Sequence, residues 1–223
     1  MDFLRSRQMW DLVIDLHTHS IFSDGVLVPS ELVRRAHVLG VKVIGITDHG
    51  DASNLDFIIP RLVAVSEQLN RVNEIKTIPG IELTHIPPAQ IGSLAKEARS
   101  LGAKIIVVHG ETVAEPVIPG TNRAALDADI DILAHPGLIS EEEVLMAAER
   151  GIFLEITSRK GHSITNGHVA KLSKTHGAEL VLNTDAHEPG DLLDEQRARL
   201  VALGAGLTDK DFERMQENAL SLL

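Results

Sequence analysis

The 223-residue sequence has no cysteine and no tyrosine, and aromatic residues make up only 3% of it. Without cysteine there is neither a disulfide framework nor a thiolate metal site, and the absence fits a reducing interior. With so few aromatic faces the chain lacks the stacking platforms that single-stranded nucleic-acid binders use, and its core must be aliphatic. Basic residues are outnumbered, 21 against 32 acidic, giving a net charge of -11. That balance argues against long nucleic acid as a partner, because phosphate backbones are gripped by basic faces. No apolar stretch approaches the roughly 20 residues of a membrane span. Residues 1–10 carry two arginines without a continuous apolar core, so no secretory signal is expected there. The expectation is a cytoplasmic protein with no membrane partner.

Hydrophobic residues make up 43% and charged residues 24%, enough for a sizeable core and a soluble surface. Short runs rich in Val, Ile and Leu read as buried strands over residues 12–16, 41–46, 75–83, 103–108, 130–134, 152–156 and 179–182. Their near-continuous apolar character predicts strands covered on both faces, as in a parallel sheet. Helical patterns fill the gaps. Pro29 opens one over 29–39; others run over 55–72, with Pro60 inside its first turns or breaking it, and over 89–101. Ser140 with Glu143 forms a capping box for a helix that ends at Gly151, with the acidic run 141–143 placed at the positive end of the dipole. Helices over 166–176 and 192–203 follow, and Thr208 with Asp211 caps a terminal one. Five helices are expected to close on glycine, at Gly40, Gly102, Gly151, Gly177 and Gly204. With no linker, composition shift or repeat, residues 1–223 read as a single α/β domain, either doubly wound or a barrel.

The residues just past the strands decide for a barrel. His17, His19 and Asp24 follow the first strand, and Asp48 and His49 the second. Glu82 ends the third, His109 follows the fourth, His135 the fifth, and Asp185 and His187 the seventh. Six of the eleven histidines therefore lie just beyond a strand's carboxyl end. In a parallel barrel these ends meet on one face, where active sites form. His17 and His19, two apart on an extended segment, share one side of it and can reach a single ion. Imidazole and carboxylate without sulfur suit zinc, manganese or iron.

The motifs Asp15-Leu-His-Thr-His-Ser20, Ser23-Asp24-Gly25 and Ile46-Thr47-Asp48-His49 resemble the opening of the PHP (polymerase and histidinol phosphatase) superfamily. Pro79-Gly80-Ile81-Glu82, Ala134-His135-Pro136-Gly137 and Asn183-Thr184-Asp185-Ala186-His187 continue the match in order, over about residues 12–190. The resemblance is to stand-alone histidinol-phosphatase-like proteins. It implies a distorted (β/α)7 TIM-like barrel, with ligand motifs over 15–187 and C-terminal helices over 191–223. It also implies three divalent ions per chain. The first would take His17, His19, Glu82 and Asp185. Glu82 would bridge to a second ion completed by His109 and His135. The third would take Asp24, His49 and His187. Many members place histidine where Asp24 stands, and an oxygen ligand there inclines weakly to manganese or iron.

Three divalent ions against three carboxylates leave a net positive charge of about 3, which draws an anion into the mouth of an acidic protein. A small phosphate monoester, of which histidinol phosphate is an example, fits that demand. Two ions about 3.5–4 Å apart acidify a shared water and stabilise both oxygens of an in-line displacement, so no serine or cysteine nucleophile is needed. Glu155 ends the sixth strand. Beyond it, Arg159 is a candidate phosphate clamp and His162 a candidate proton donor to the leaving alkoxide. Residues 110–123, with Glu111, Glu115 and Arg123, form a long βα loop able to cover substrate, and Arg123 is the second candidate clamp. Asp48 and His85 are expected to orient ligand imidazoles; His37, His168 and His176 read as structural or exposed. The alternatives are a phosphodiesterase, nucleotide hydrolase or 3'-5' exonuclease on the same centre, and a non-catalytic scaffold subunit of an RNA-processing assembly.

Overall fold

A computed structural model describes residues 13–223; the reading of residues 1–10 and the start of the first strand at Leu12 lie outside them. Every predicted strand is present. They are β1 (Val13–Asp15), β2 (Val41–Ile46), β4 (Lys76–Leu83), β5 (Ile105–His109), β6 (Ile132–Ala134), β7 (Phe153–Thr157) and β8 (Leu180–Asn183), all parallel, in the order β1-β2-β4-β5-β6-β7-β8. An eighth short segment, β3 (His49–Gly50), pairs with the end of β4 beyond the stretch that pairs with β2. It is the same edge resumed after a break at Thr47 and Asp48, so the count of seven strand positions stands.

The helices are α1 (Pro29–Val38), α2 (Leu55–Val72), α3 (Pro88–Leu101), α4 (Thr121–Leu126), α5 (Glu141–Arg150), α6 (Asn166–His176), α7 (Glu195–Gly204) and α8 (Asp209–Ser221). Pro60 does not break α2. Both capping boxes form, Ser140 with Glu143 and Thr208 with Asp211. Gly102, Gly151 and Gly177 cap their helices in the left-handed conformation and Gly40 takes φ 90° just past α1. Gly204 instead stays helical; Gly206 carries the positive φ, at 82°. Asp194 explains why α7 starts later than predicted, since its side chain accepts from Arg197 N at 2.9 Å and caps the helix there. Among the described residues no helix is long and apolar enough to cross a membrane.

Ile14, Leu16, Val43, Ile78, Ile105, Val107, Ile132, Ala134 and Val181 point into the barrel, and Ala219 of α8 joins them. The larger cluster packs the outer strand faces against the helices. Closure is where the barrel departs from a regular one. Between β8 and β1 the backbone joins at the carboxyl end alone, through the Thr18–Ala186 bridge, Asp185 N to His17 O at 2.9 Å and His19 N to Ala186 O at 2.8 Å. Lower down, α8 fills the gap. Gln216 Oε1 accepts from Ile14 N at 2.8 Å, and Asn218 Nδ2 donates to Leu180 O at 2.8 Å. One backbone group on each strand edge is thus satisfied by a side chain of the last helix, while Leu16 N donates to Asn183 Oδ1 at 2.8 Å. The split seam leaves the tightest closure at the face that carries the histidines.

Candidate metal centre

All nine predicted ligands meet at the carboxyl face, and backbone geometry aims them. Asp15, at the end of β1, accepts from His17 N at 3.3 Å and Thr184 N at 3.1 Å, joining the turn that bears His17 and His19 to the one that bears Asp185 and His187. Burial pushes the Asp15 carboxyl up to about 6, against these hydrogen bonds. Asp48 does not orient an imidazole as expected. Its carboxylate is taken up by Ser20 N, Ser20 Oγ, Ser23 N and Ser23 Oγ at 2.7–3.1 Å, so it shapes the turn that presents Asp24. In that turn a Cβ on Gly25 would lie 2.4 Å from His19 O, which leaves room for glycine alone.

Three of the six imidazoles share one arrangement. His17 Nδ1 donates to Glu155 Oε1 at 2.8 Å, His109 Nδ1 to Gly110 O at 3.1 Å, and His187 Nδ1 to Asp185 O at 2.9 Å. Each therefore turns Nε2 toward the cluster, as metal-binding histidines do. His49 Nδ1 lies 2.6 Å from both Thr84 Oγ1 and Glu82 Oε2, while its Nε2 lies 3.3 Å from Asp24 Oδ1 and 3.4 Å from His187 Nε2. His187 Nε2 in turn lies 3.1 Å from Asp24 Oδ1.

Glu82 sits at the middle of this arrangement, with its side chain fully buried. Its Oε1 faces His17 Nε2 at 3.4 Å and His135 Nε2 at 3.7 Å, while Oε2 faces His19 Nε2 at 3.7 Å and His49. Asp185 faces His19 at 3.0 Å and His135 at 3.5 Å. The donor atoms fall into overlapping groups: His17/His19/Glu82, His17/His135/Asp185, Glu82/His109/His135, and His19/Asp24/His49/His187. These inner groups differ from the expected ones in two respects: His19 also falls with Asp24, His49 and His187, and Asp185 falls with His17 and His135.

Two observations test whether a cation fits. His17 Nε2, His19 Nδ1 and Nε2, His135 Nδ1, Glu82 Oε1 and Asp185 Oδ1 are buried without a hydrogen-bond partner. Buried polar atoms left unpaired cost on the order of 1–3 kcal/mol each, and a shared cation would satisfy most of them together. The field of the cluster also favours positive charge. Burial opposes the charged form of His17, yet Glu155, Glu82 and Asp185 hold its pKa well above the ordinary imidazole value. His49 is driven to about 10, chiefly by Glu82 and Asp24 against its burial. His19 and His135 are pushed well below the ordinary value by burial and by neighbouring imidazoles, and stay neutral donors of a lone pair. Imidazoles and carboxylates converging without sulfur fit a borderline divalent ion.

The other candidates divide. His162 is buried at the site, stacked on His135 with ring centroids 4.4 Å apart, its Nδ1 bound to Thr112 Oγ1 at 2.7 Å. Arg159 is part-buried and donates through Nη1 to Asp191 Oδ2 at 3.0 Å; the same oxygen accepts from His187 N at 2.9 Å, which ties Arg159 to the β8–α7 loop. Arg123 is not brought to the site. Residues 121–126 form α4 rather than open loop, and its side chain pairs with Glu142 at 2.6 Å and Asp127 at 3.7 Å on the surface. Two roles escaped the sequence. Glu155 accepts from His17 Nδ1, from Asn183 Nδ2 at 2.8 Å and from His135 N at 3.2 Å. Glu115 reaches His85, His109 and His162 at 3.1, 3.2 and 3.4 Å; the hydrogen bond with His109 does most to hold its carboxyl at about 2. A strand-end position marked Glu155, but its three donors come from distant segments.

Comparison with known proteins agrees with this geometry. The PHP domain family matches residues 15–163. An uncharacterized protein of Methanocaldococcus jannaschii is 52% identical over 201 residues, covering 89% of this chain and 92% of that one. A Thermoanaerobacter protein named "probable phosphatase" is 31% identical over 222 residues, covering 89% of this chain and 88% of its own length. A chain in the structure of archaeal ribonuclease P with mature tRNA has the same fold, with a TM-score of 0.72 at 18% identity over 94% of this chain and 89% of that one. The chain belongs to the PHP domain family, as a metal-binding hydrolase.

Proposed function

We propose that this protein hydrolyses phosphate monoesters of small molecules by direct attack of water, and that three divalent ions per chain are held by the nine side chains. In this reading His17, His19, Glu82 and Asp185 hold one ion, Glu82, His109 and His135 a second, and Asp24, His49 and His187 a third. The carrying observation is Glu82, buried, with its two oxygens turned to opposite halves of the cluster. Zinc, manganese and iron are the candidates by ligand type. Bound ions would supply an acidified water and positive charge against the phosphate oxygens. Asp24, whose side chain is 59% exposed, opens the third group to solvent, which is the side from which an anion would approach.

The protein's own residues divide the remaining work. Arg159, anchored through Nη1 on Asp191, is proposed to hold phosphate oxygens. Burial lowers His162, so a neutral ring is proposed to hydrogen-bond the leaving oxygen through Nε2 while Thr112 occupies Nδ1. The whole chain is taken as one unit, with residues 191–223 closing the barrel seam; Gln216 and Asn218 support that reading. Net charge and scarce aromatic faces favour a small phosphorylated substrate over long nucleic acid. The test is a comparison of p-nitrophenyl phosphate, its bis ester and a panel of phosphorylated metabolites with manganese, iron or zinc supplied separately. Faster turnover of monoesters is expected. Preference for the bis ester would make the protein a diesterase, and bound metal without either activity would make it a scaffold.

A further inference from the structure

His85 and Glu115 stand at the rim, outside the groups assigned above. His85 follows β4 and Glu115 lies on the loop over residues 110–120 that leaves β5; their side chains are 42% and 40% exposed. Glu115 Oε2 is 3.1 Å from His85 Nε2 and 3.2 Å from His109 Nε2, and one donor atom from each of the three residues lies within 4.8 Å of the others. Ligands about 2.1 Å from a tetrahedral ion stand roughly 3.4 Å apart, so this spacing suits a single ion.

The position is built rather than incidental. Glu111 Oε1 accepts from Gly120 N and Asn122 N, each at 2.9 Å, which pins both ends of the loop. A Cβ on Gly137 would fall 1.9 Å from Glu111 O, so the loop packs down only because that residue is glycine. Thr112, holding His162, fixes the loop again beside Glu115. Among the described residues three non-glycine positions have positive φ: His135 and Asp185 of the inner cluster, and His85 at 53°. Such backbone is strained and persists only where the surrounding structure over-determines it.

We propose that His85, His109 and Glu115 form an outer divalent-cation position at the mouth, exclusive with the inner Glu82/His109/His135 group. Exclusivity follows from His109. Its Nδ1 is bound to Gly110 O, so Nε2 alone can meet an ion, and it serves the outer or the inner position but not both. Two imidazoles and one carboxylate suit zinc, manganese or iron, with water completing the shell at this exposed place. An ion arriving from solvent is held there first, and His109 hands it inward. The outer position rests on the same reading of the inner cluster as a metal centre, but is tested apart from it.

The experiment has two arms. Crystals of the His135→Ala protein, in which the inner second group is broken, are soaked in manganese and mapped by anomalous scattering; a peak among His85, His109 and Glu115 is expected. In the otherwise intact protein, Glu115→Gln and His85→Asn are stripped with chelator and the rate of cobalt uptake is followed by absorption, with final content by elemental analysis. Slower uptake, on the order of tenfold, the scale on which metal-site partners act, is expected with unchanged final content. Absence of the outer peak overturns the proposal, as does unchanged uptake in both variants, which also decides the matter if His135→Ala fails to fold. Permanent loss of one ion in Glu115→Gln with unchanged uptake overturns the hand-over. An outer peak with no inner ions anywhere would sink the three-ion centre and leave this position standing.

Discussion

Replacing Glu155 by glutamine tests how the cluster is held. The Glu155 side chain is fully buried and accepts three hydrogen bonds, from His17 Nδ1 at 2.8 Å, Asn183 Nδ2 at 2.8 Å and His135 N at 3.2 Å. A carboxylate accepts at both oxygens, whereas an amide accepts at one and donates at the other. In Glu155→Gln the amide nitrogen must therefore face at least one of these donors. If it faces His17, Nδ1–H loses its acceptor and nothing keeps Nε2 toward Glu82; if it faces His135 N, a buried backbone donor is left unpaired. The second outcome costs on the order of 1–3 kcal/mol of stability. The first weakens metal binding by about 10- to 100-fold, about 1.4–2.8 kcal/mol. Competition with a chromophoric chelator reads the affinity, and thermal unfolding of the metal-free protein reads the stability. A Glu155→Gln protein with wild-type affinity and wild-type melting would refute the claim that this carboxylate sets the His17 tautomer.

Other outcomes follow from the same geometry. Glu82→Gln should lose ions from two positions together, since a neutral amide cannot serve two cations, and elemental analysis would show it; full retention would mean the bridge lies elsewhere. Arg159→Ala should keep its metal and lose roughly thirty- to a hundredfold in kcat/KM for monoesters, the scale of one charge-assisted contact of about 2–3 kcal/mol, with lysine restoring only part. Arg123→Ala should leave kcat/KM unchanged, because its guanidinium is spent on Glu142 and Asp127 at the surface; a large loss would return it to the substrate. Gln216→Leu should lower the melting temperature by stranding Ile14 N at the barrel seam, a cost of about 1–3 kcal/mol, and unchanged melting would mean that the seam is satisfied some other way.

The features that could be read in the sequence are those encoded locally. Strand β2 and helices α2 and α6 begin and end at their predicted residues because a continuous apolar run marks the first and apolar periodicity the other two, with Gly177 closing α6. The nine candidate ligands stood out because most lie at or just past the end of an apolar run, and the parallel barrel brings those ends together. What was missed depends on contacts distant in sequence. Glu155 draws its donors from the turn after β1, from β8 and from the β6–α5 loop, and no local pattern predicts them. Thr84 and Glu115 acquire roles only where loops meet. Arg123 was misjudged for the opposite reason. A six-residue helix is too short to show apolar periodicity in the sequence, and it turns that arginine outward. Asp48 stands next to His49, yet the Ser20–Ser23 turn captures it, a competition that sequence proximity does not reveal.

If the converging histidines and carboxylates are a working metal centre, hydrolysis must depend on the ions they hold. The most direct test of this dependence is to measure transition-metal content per chain alongside hydrolysis of p-nitrophenyl phosphate, before and after chelation and after metal is restored. More than one ion per chain is expected, with loss of hydrolysis when the ions are removed and recovery when they return. A metal-free preparation that retains full activity would contradict the dependence.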